Sequence, residues 1–485
     1  MTANADFHLC RNIAGIAGLI LLAACAAPQT YAPAPLQPAQ VFQTFTAQRL
    51  DSAAVHEFLR QADYPLAQWP LPDWDAQALV LAGLALHPEM QVARAEWALR
   101  QAGEQTAAQR INPGFELPLE WHSDTSGGAS PWLIGAVLDI VLERRGKRAA
   151  RIDQASMRTL AARIAIENTA WRIRSSILEA LLAYGQAQSA TALHTRRVDA
   201  IKAIYAVLER RETLGEVSRF ELSSTRLALQ QARLQLTEQA QSERIAYDAL
   251  AAAIGVLPEA LDQIDISTAT AAAMTAVDTS ELPLPDLRGL ALQHRHDIRR
   301  ALAEYAVVEA GVRLAIEQQY PDVNLSPGFL FDQGDKIWQL AASWVLPLFH
   351  RHEGEIAEAL AQRELAQQQF LLQQARIIEQ VQQARSAYLS HEQIYTEAEA
   401  LYAEASDFRE QLQRQLAAGY SNRLQLLRAE TELLDAELAR LQTAQRRQRA
   451  WLQLEDALQY PLQDSADLPA LGWLLETDVL ETNNP

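Results

Sequence analysis

The chain contains an internal duplication. Its two halves match at an offset of 208 residues, which falls to 204 toward the end of each half. The difference is about one helical turn, which a long helix can lose while its apolar stripe still faces its partner. Two copies of one structural unit are therefore predicted. The clearest matches are Pro113 with Pro321, Val137 with Val345, Gly146 with Gly354, and Gly215 with Gly419.

Each half predicts a helix, two strands and a long helical hairpin. The first helix has roughly 35 residues, over 76–111 and again over 286–319, and a proline follows it. After the strands comes a segment without proline, 146–212 or 354–417. Some 64 helical residues span roughly 95 Å, more than an ordinary globular domain needs. A returning helix closes hairpins over 146–255 and 354–459, with apolar residues at coiled-coil spacing.

The predicted strands, about 113–140 and 321–347, have one apolar face. In the first strand Phe115, Leu117, Leu119 and Trp121 alternate with two acidic residues. Such strands are typical of a membrane β-barrel, and also of a soluble sheet packed on helices. Four strands are too few for a barrel, since the smallest have about eight. A barrel would therefore require several copies of the chain, because an open edge in lipid leaves backbone groups unsatisfied.

The N-terminus predicts export. Arg11 precedes an apolar run over 13–24, which is too short to cross a bilayer as a helix. The run leads into Cys25 and resembles a bacterial lipobox, in which the cysteine is acylated; the alternative is an ordinary secretory signal. Ala26, where an aspartate would favour inner-membrane retention, points to the outer membrane. Residues 26–40 are rich in Pro and Ala and predict an extended tether.

The charge and the missing motifs exclude several classes of protein. A formal net charge of −18 argues against a nucleic-acid partner and would favour cations near the protein. The two cysteines, Cys10 and Cys25, leave no disulfide or thiolate metal site in the folded body. A nucleophile–base pair, a glycine-rich phosphate loop and a metal-binding HExxH motif are all missing. We therefore expect no enzymatic activity and no cofactor except a covalent lipid on Cys25.

From about residue 76 to 460 the chain resembles the TolC-like outer-membrane efflux channels. The resemblance rests on the duplication and on HPEMQVARAEWALRQAGEQTAAQRINP, YPDVNLSPGFLFDQGDKIWQLAASWVLPLFHRHEG, LGEVSRFEL and AGYSNRLQLLRAE. It implies a mainly α fold with membrane β structure. The homotrimer would form a twelve-stranded barrel, four strands per subunit, continued by an α-helical barrel in the periplasm. The lipobox and LPLFHRHEG are most similar to the heavy-metal-exporter branch, the CzcC- and CusC-like channels.

The resemblance also implies a domain organisation. A signal peptide over 1–24 precedes a lipidated tether and periplasmic segment over 25–75. Two efflux-channel repeats follow, 76–277 and 278–460, and then a tail, 461–485. Glu116 and Glu120 would face the lumen of the channel, and Gly146 and Gly354 would act as hinges between strand and helix.

The two turns of the hairpins are the implied contacts for a periplasmic adaptor protein. The alternative is a pair of turns without a partner. Drug-exporting relatives carry acidic gate residues just past the second turn, where this chain has Gln425 and Arg428. Glu221 is the acidic residue at the matching place in the first repeat, and Arg423 and Arg428, with Glu430, are candidates for ion pairs that close the gate or for solvated surface contacts. The turns comprise Leu214, Gly215, Glu216, Val217 and Ser218, and Ala418, Gly419, Tyr420, Ser421 and Asn422.

The sequence LPLFHRHEGEIAEA concentrates His350, His352, Glu353 and Glu355 at the end of the fourth predicted strand. The matching segment of the first repeat keeps the glycine and lacks both histidines. We therefore interpret it as a joint between strand and helix, with the acidic residues near the positive end of a helix. We therefore expect no metal site, and the alternative is a metal contact at His350 and His352.

The function implied is that of a passive outer-membrane channel. The chain would be the trimeric conduit of a tripartite efflux pump, working with an adaptor and an inner-membrane pump of the RND type. It would export metal cations or small toxic compounds across the bacterial outer membrane. The alternatives are the channel of a type I protein-secretion system and a soluble coiled-coil scaffold.

Overall fold

The computed structural model describes residues 31–123, 130–267, 269 and 283–462. Both cysteines, the predicted signal peptide and nearly all of the predicted tail lie outside these residues. The chain divides into two units, 1–47 and 48–485. The first contains one described helix, α1 (Pro38–Thr46), so helix begins inside the segment predicted to be an extended tether.

The second unit alternates helices with one group of strands in each repeat. Its helices are α2 (Ala53–Gln61), α3 (Ala76–Leu86), α4 (Pro88–Ala108), α5 (Arg145–Thr213), α6 (Arg219–Ile254), α7 (Pro258–Leu261), α8 (Leu284–His294), α9 (His296–Gln318), α10 (Glu353–Ala417) and α11 (Arg423–Leu458). Its strands are β1 (Gly114–Glu116), β2 (Leu119–Trp121), β3 (Trp132–Leu142), β4 (Val323–Asp332) and β5 (Asp335–Trp344). None of the described helices combines the length and the apolarity needed to cross a membrane.

The first predicted helix of each repeat is broken into two. Helix α3 ends at Leu86, and the next residue, His87, is extended (φ −64°, ψ 128°). Pro88 causes this, because a proline disfavours the helical conformation in the residue before it. The second repeat breaks at the matching place without a proline. There Arg295 (φ −58°, ψ 127°) is buried, and its guanidinium donates to the Ala457 carbonyl at 2.7 Å. The helices predicted over 76–111 and 286–319 are therefore each interrupted at one residue, and they end at Ala108 and Gln318.

The long hairpins form as predicted. Helix α5 has 69 residues and packs against α6, and α10 has 65 residues and packs against α11. Helix α5 also lies against α11, so the two hairpins meet within one chain. Gly255 (φ 91°) and Gln459 (φ 47°) end the returning helices in the left-handed conformation that often terminates a helix.

The two hairpins correspond position by position at the offset of 204. Buried Ile173 and Ile177 match buried Ile377 and Val381. The ring pair Tyr184–Tyr247, with centroids 5.3 Å apart, matches Tyr388–Trp451 at 5.5 Å. The four extra residues of α5 therefore lie between Gly146 and Ile173, near the strands.

A buried ion pair joins the hairpins near the middle of α5. Arg174 and Glu455 are almost fully buried, and Arg174 Nη2 lies 3.3 Å from Glu455 Oε2. The other carboxylate oxygen accepts the Leu462 amide at 2.9 Å. The Arg174 guanidinium also lies 4.8 Å from the ring centroid of Trp171, whose indole donates to Asp456. This cluster connects the first repeat with the last helix.

The strands form one antiparallel sheet in which β1 and β2 both pair with β3, followed by β4 and β5. The predicted first strand is interrupted at Pro118, which has no amide hydrogen for the ladder. Among the described residues, β5 and the β1/β2 pair each have a partner on one side only. The paired register puts one apolar row on a single face across all strands: Phe115, Leu119 and Trp121, then Trp132, Ile134 and Leu138, then Leu325, Phe329 and Phe331, then Trp338, Leu340 and Trp344.

Candidate functional site

The two turns between the long helices have the same backbone conformation. The amide of Glu216 bonds the carbonyl of Arg211 at 2.9 Å, and the amide of Tyr420 bonds the carbonyl of Gln415 at 2.9 Å. Each of these hydrogen bonds encloses one glycine with a positive φ, Gly215 (φ 75°) in the first turn and Gly419 (φ 79°) in the second. Glycine avoids the steric cost of this left-handed conformation. The sequence signal for both turns was therefore correct in position and in kind.

Each returning helix is capped by a polar side chain from its turn. Ser218 Oγ accepts the amide of Glu221 at 3.2 Å. Asn422 and Gln425 form a reciprocal capping box, with bonds of 3.0 and 3.2 Å. Ser421 Oγ also bonds Gln425 Oε1 at 2.9 Å. Gln425, a gate candidate from the sequence, is thus engaged in starting helix α11.

The structure brings both turns to one end of the paired hairpins. Ile204 and Leu208 of α5 are buried against Leu424 and Leu427 of α11, with Val217 beside them. The predicted adaptor-contact residues of the two repeats therefore lie at the same end of the paired hairpins. Contact with an adaptor itself stays a prediction.

An ion pair links the two hairpins beside the turns. Arg428 Nη2 lies 2.9 Å from Glu221 Oε1, and both side chains are more than one-third exposed. Arg423 and Glu430, the other charged candidates, are exposed and form no ion pair within the described part of the chain. An exposed pair of this kind contributes about 0.2–1 kcal/mol, so it can adjust a conformational balance without holding the fold together.

Three large apolar side chains at this end are open to solvent. Leu214, Phe220 and Tyr420 are 73%, 83% and 87% exposed. Phe220 was not among the residues selected from the sequence. Its match at the offset of 204 is Leu424, which is buried. The duplication could therefore have identified Phe220, because the matching residue of the other repeat packs against a neighbouring helix.

The sheet presents two chemically different faces. Glu116 and Glu120 lie on the face opposite the apolar row, as alternation predicted, and both are exposed. That face also carries polar groups of the neighbouring strands, such as Asp139, which accepts a bond from Ser326. The facing of the glutamates toward a lumen stays a prediction.

The joints between strand and helix differ in the two repeats. Gly146 and Gly354 both lie in the first turn of a long helix. A side chain at Gly146 would collide with the carboxylate of Glu317, whereas nothing lies within 4 Å of one built at Gly354. The left-handed residue of the second joint is His352 (φ 60°). Gly146 thus permits close packing, and the sharp bend is made by His352 rather than by Gly354.

The His350 and His352 rings meet edge to face with centroids 5.5 Å apart. His352 Nδ1 lies 3.4 Å from Glu355 Oε1. Glu353 accepts the Arg351 amide at 2.7 Å, and this bond lowers the pKa of its carboxyl group. In the part of the chain that the structure describes, no three His, Cys, Asp or Glu side chains are placed to hold a metal ion.

Comparisons with known proteins agree with this architecture. The family model described as outer membrane efflux protein matches residues 81–256 and 287–458. The cobalt-zinc-cadmium resistance protein CzcC of Cupriavidus metallidurans is 26% identical over 239 residues. That match covers 49% of this chain and 55% of CzcC, so it spans about half the length of the curated relative.

Three solved structures share the fold. The outer membrane protein VceC of Vibrio cholerae has a TM-score of 0.64 at 20% identity, covering 80% of this chain and 97% of VceC. CusC has a TM-score of 0.65 at 16% identity, covering 88% and 99%. The open state of the MtrE outer membrane channel of Neisseria gonorrhoeae has a TM-score of 0.62 at 17% identity, covering 81% and 90%.

Proposed function

Since this chain belongs to the outer membrane efflux protein family, we propose that it forms the passive trimeric channel of a tripartite pump that exports metal cations. Its matched family and the similar structures are channel proteins, and the chain is not an enzyme. The periplasmic adaptor and the RND-type inner-membrane pump are part of the proposal, as is a lipid anchor on Cys25.

One observation supports the conduit above all. Helix α5 carries the amphipathic sheet at its first residue and the paired turns at its last, roughly 100 Å apart at 1.5 Å per residue. The apolar row of the sheet suits lipid. We infer that three sheets join at their free edges into a closed twelve-stranded barrel, which leaves no unpaired edge in the bilayer.

Metal cations are the proposed cargo because of the similarity to CzcC and because of the negative charge of the chain. The name of CzcC states resistance to cobalt, zinc and cadmium. The net charge of −18 would raise the local concentration of cations near a channel wall. The proposal requires no resident metal site, since a conduit needs only weak contacts with what passes through it.

Deleting the gene should sensitise the host to cobalt, zinc and cadmium salts, because their export would stop at the outer membrane. Growth at graded concentrations measures this, with re-expression of the wild-type chain as the control. Sensitivity to organic toxins alone would reject the metal cargo and keep the channel. Loss of a secreted protein without any change in tolerance would instead support the type I secretion alternative.

The Arg428–Glu221 pair should help to keep the turn end closed. Replacing Glu221 by Gln or Arg428 by Gln removes the same ion pair, so each change should raise single-channel conductance in a planar bilayer. The double variant should behave like either single one, because only one interaction is lost. Arg423→Gln is the matched control, since Arg423 is exposed and has no ion-pair partner among the residues that the structure describes. Additive effects of the two changes would argue against a shared gate contact.

A further inference from the structure

The contact between the two hairpins of one chain provides a template for a second contact. In the chain, α5 of the first repeat packs on α11 of the second. Near the turns this contact buries Ile204 and Leu208 against Leu424. Because the chain is duplicated, α10 is the counterpart of α5, and α6 is the counterpart of α11. A surface of α10 and a surface of α6 therefore correspond to two surfaces that already fit each other.

The three matching positions on those two surfaces are apolar, and two of them are exposed while the third is half-buried. Adding 204 to Ile204 and Leu208 gives Phe408 and Leu412 on α10, and subtracting 204 from Leu424 gives Phe220 on α6. Phe408 is 46% exposed and Phe220 is 83% exposed, while their counterparts are almost fully buried. An aromatic side chain held in solvent on each surface indicates that a partner covers both.

The charges on these surfaces of α6 and α10 are also complementary. Their signs are opposite to those on the counterpart surfaces of α11 and α5. Within the chain, Arg196 of α5 pairs with Glu437 of α11 at 3.1 Å. The counterpart of Glu437 is Arg233 on α6, and the counterpart of Arg196 is Ala400 on α10. Ala400 is flanked on its own face by Glu397 and Glu404, three residues before and four after it. Arg233, Glu397 and Glu404 are exposed, and none of them forms an ion pair with another described residue.

We propose that Phe220 of one copy packs on Phe408 and Leu412 of a second copy, with Arg233 of the first beside Glu397 and Glu404 of the second. The occupant is another copy of this chain because the complementary surface is the counterpart of one that the chain itself contains. The two surfaces are different, so the contact is head to tail, and three such contacts would close the ring of the proposed trimer. This inference rests on the proposed trimer and adds the residues by which its copies meet near the turns.

Paired cysteines test the contact directly. The only natural cysteines are Cys10 and Cys25, so introduced thiols face little competition. With Phe220→Cys and Phe408→Cys in one chain, mild oxidation should give covalent dimers and trimers on a non-reducing gel. Disulfides need Cα atoms within about 7 Å, so yield should fall at least tenfold when one thiol moves to the other side of the helix. Phe220→Cys with Glu410→Cys is that control, because the counterpart of Glu410, Ala206, is exposed within the chain.

Two further variants keep the test decisive. Ile204→Cys with Leu424→Cys should oxidise within one chain and shows that the turn end is folded. Arg233→Glu should lower the yield of linked trimers in the Phe220→Cys/Phe408→Cys background, and Glu404→Arg in the same chain should restore it.

The outcomes separate this inference from the proposed function. Uncrosslinked trimers in the outer membrane by native mass measurement, with an oxidised Ile204→Cys/Leu424→Cys control, would overturn the contact and leave the channel intact. Equal crosslinking of the Glu410→Cys control would also overturn it. A monomeric wild-type chain would overturn both the contact and the trimeric channel.

Discussion

Replacing Glu455 by glutamine should destabilise the protein by about 3–5 kcal/mol, the usual cost of removing one partner from a buried ion pair. The change removes the carboxylate charge that pairs with the buried Arg174 guanidinium between α5 and α11. Glutamine keeps the size of the side chain, so the effect reports charge rather than packing. Helical circular dichroism during urea unfolding of the detergent-solubilised protein measures it.

Two variants serve as controls for this result. Asp153→Asn breaks the exposed pair with Arg313, whose side chains are about half exposed or more, and should change stability by less than about 1 kcal/mol. Arg174→Met combined with Glu455→Met should recover much of the loss, because no unpaired charge remains. Equal losses in Glu455→Gln and Asp153→Asn would show that the buried pair does not tie the repeats together.

Leu340→Arg should block stable insertion into the outer membrane. Leu340 lies in the apolar row of the sheet and is 73% exposed in the single chain. An arginine on the lipid-facing side of a membrane strand costs about 2–4 kcal/mol near the bilayer midplane. Three copies would carry this cost in a trimer. The expected result is loss of heat-resistant trimers from the outer-membrane fraction, measured on gels of unboiled samples.

Gln339→Arg is the matched control, because the neighbouring residue of β5 points to the opposite face of the sheet. It should assemble normally and change only the charge of that face. Normal assembly of both variants would mean that the apolar row does not contact lipid. Failure of Gln339→Arg alone would invert the assignment of the two faces.

The ends of the long helices were predictable because local signals mark them. Gly215, Gly255 and Gly419 each adopt a positive φ. A glycine at the end of a helical pattern predicts such a left-handed residue, and therefore the end of the helix. The break at Arg295 has no such signal: it depends on bonds to Asp297 and to the distant Ala457 carbonyl. At His87 the signal was present in Pro88, and the apolar periodicity on both sides concealed it.

The candidate site was predictable where the repeats agree and not where distant side chains meet. The turns follow from matching glycines in equivalent places. The Arg428–Glu221 pair joins residues 207 positions apart, and Arg174–Glu455 joins residues 281 apart. Contacts over such separations follow only from how the hairpins pack. Glu455 also gives no sign in the sequence that it is buried, since charged residues are usually exposed.

The ion pair between Arg428 and Glu221 breaks the near-sixfold symmetry that the duplication would give a ring of three chains. At the offset of 204 its counterparts are Ser224 and Gln425, which carry no charge. In the proposed trimer, this ion pair would lie at three of the six contacts around the turn end, and the proposed aromatic pair would lie at the three that alternate with them. Opening of the proposed gate would separate the two hairpins of each chain at these ion-paired contacts. High salt should therefore favour opening, because it screens the exposed Arg428–Glu221 pair.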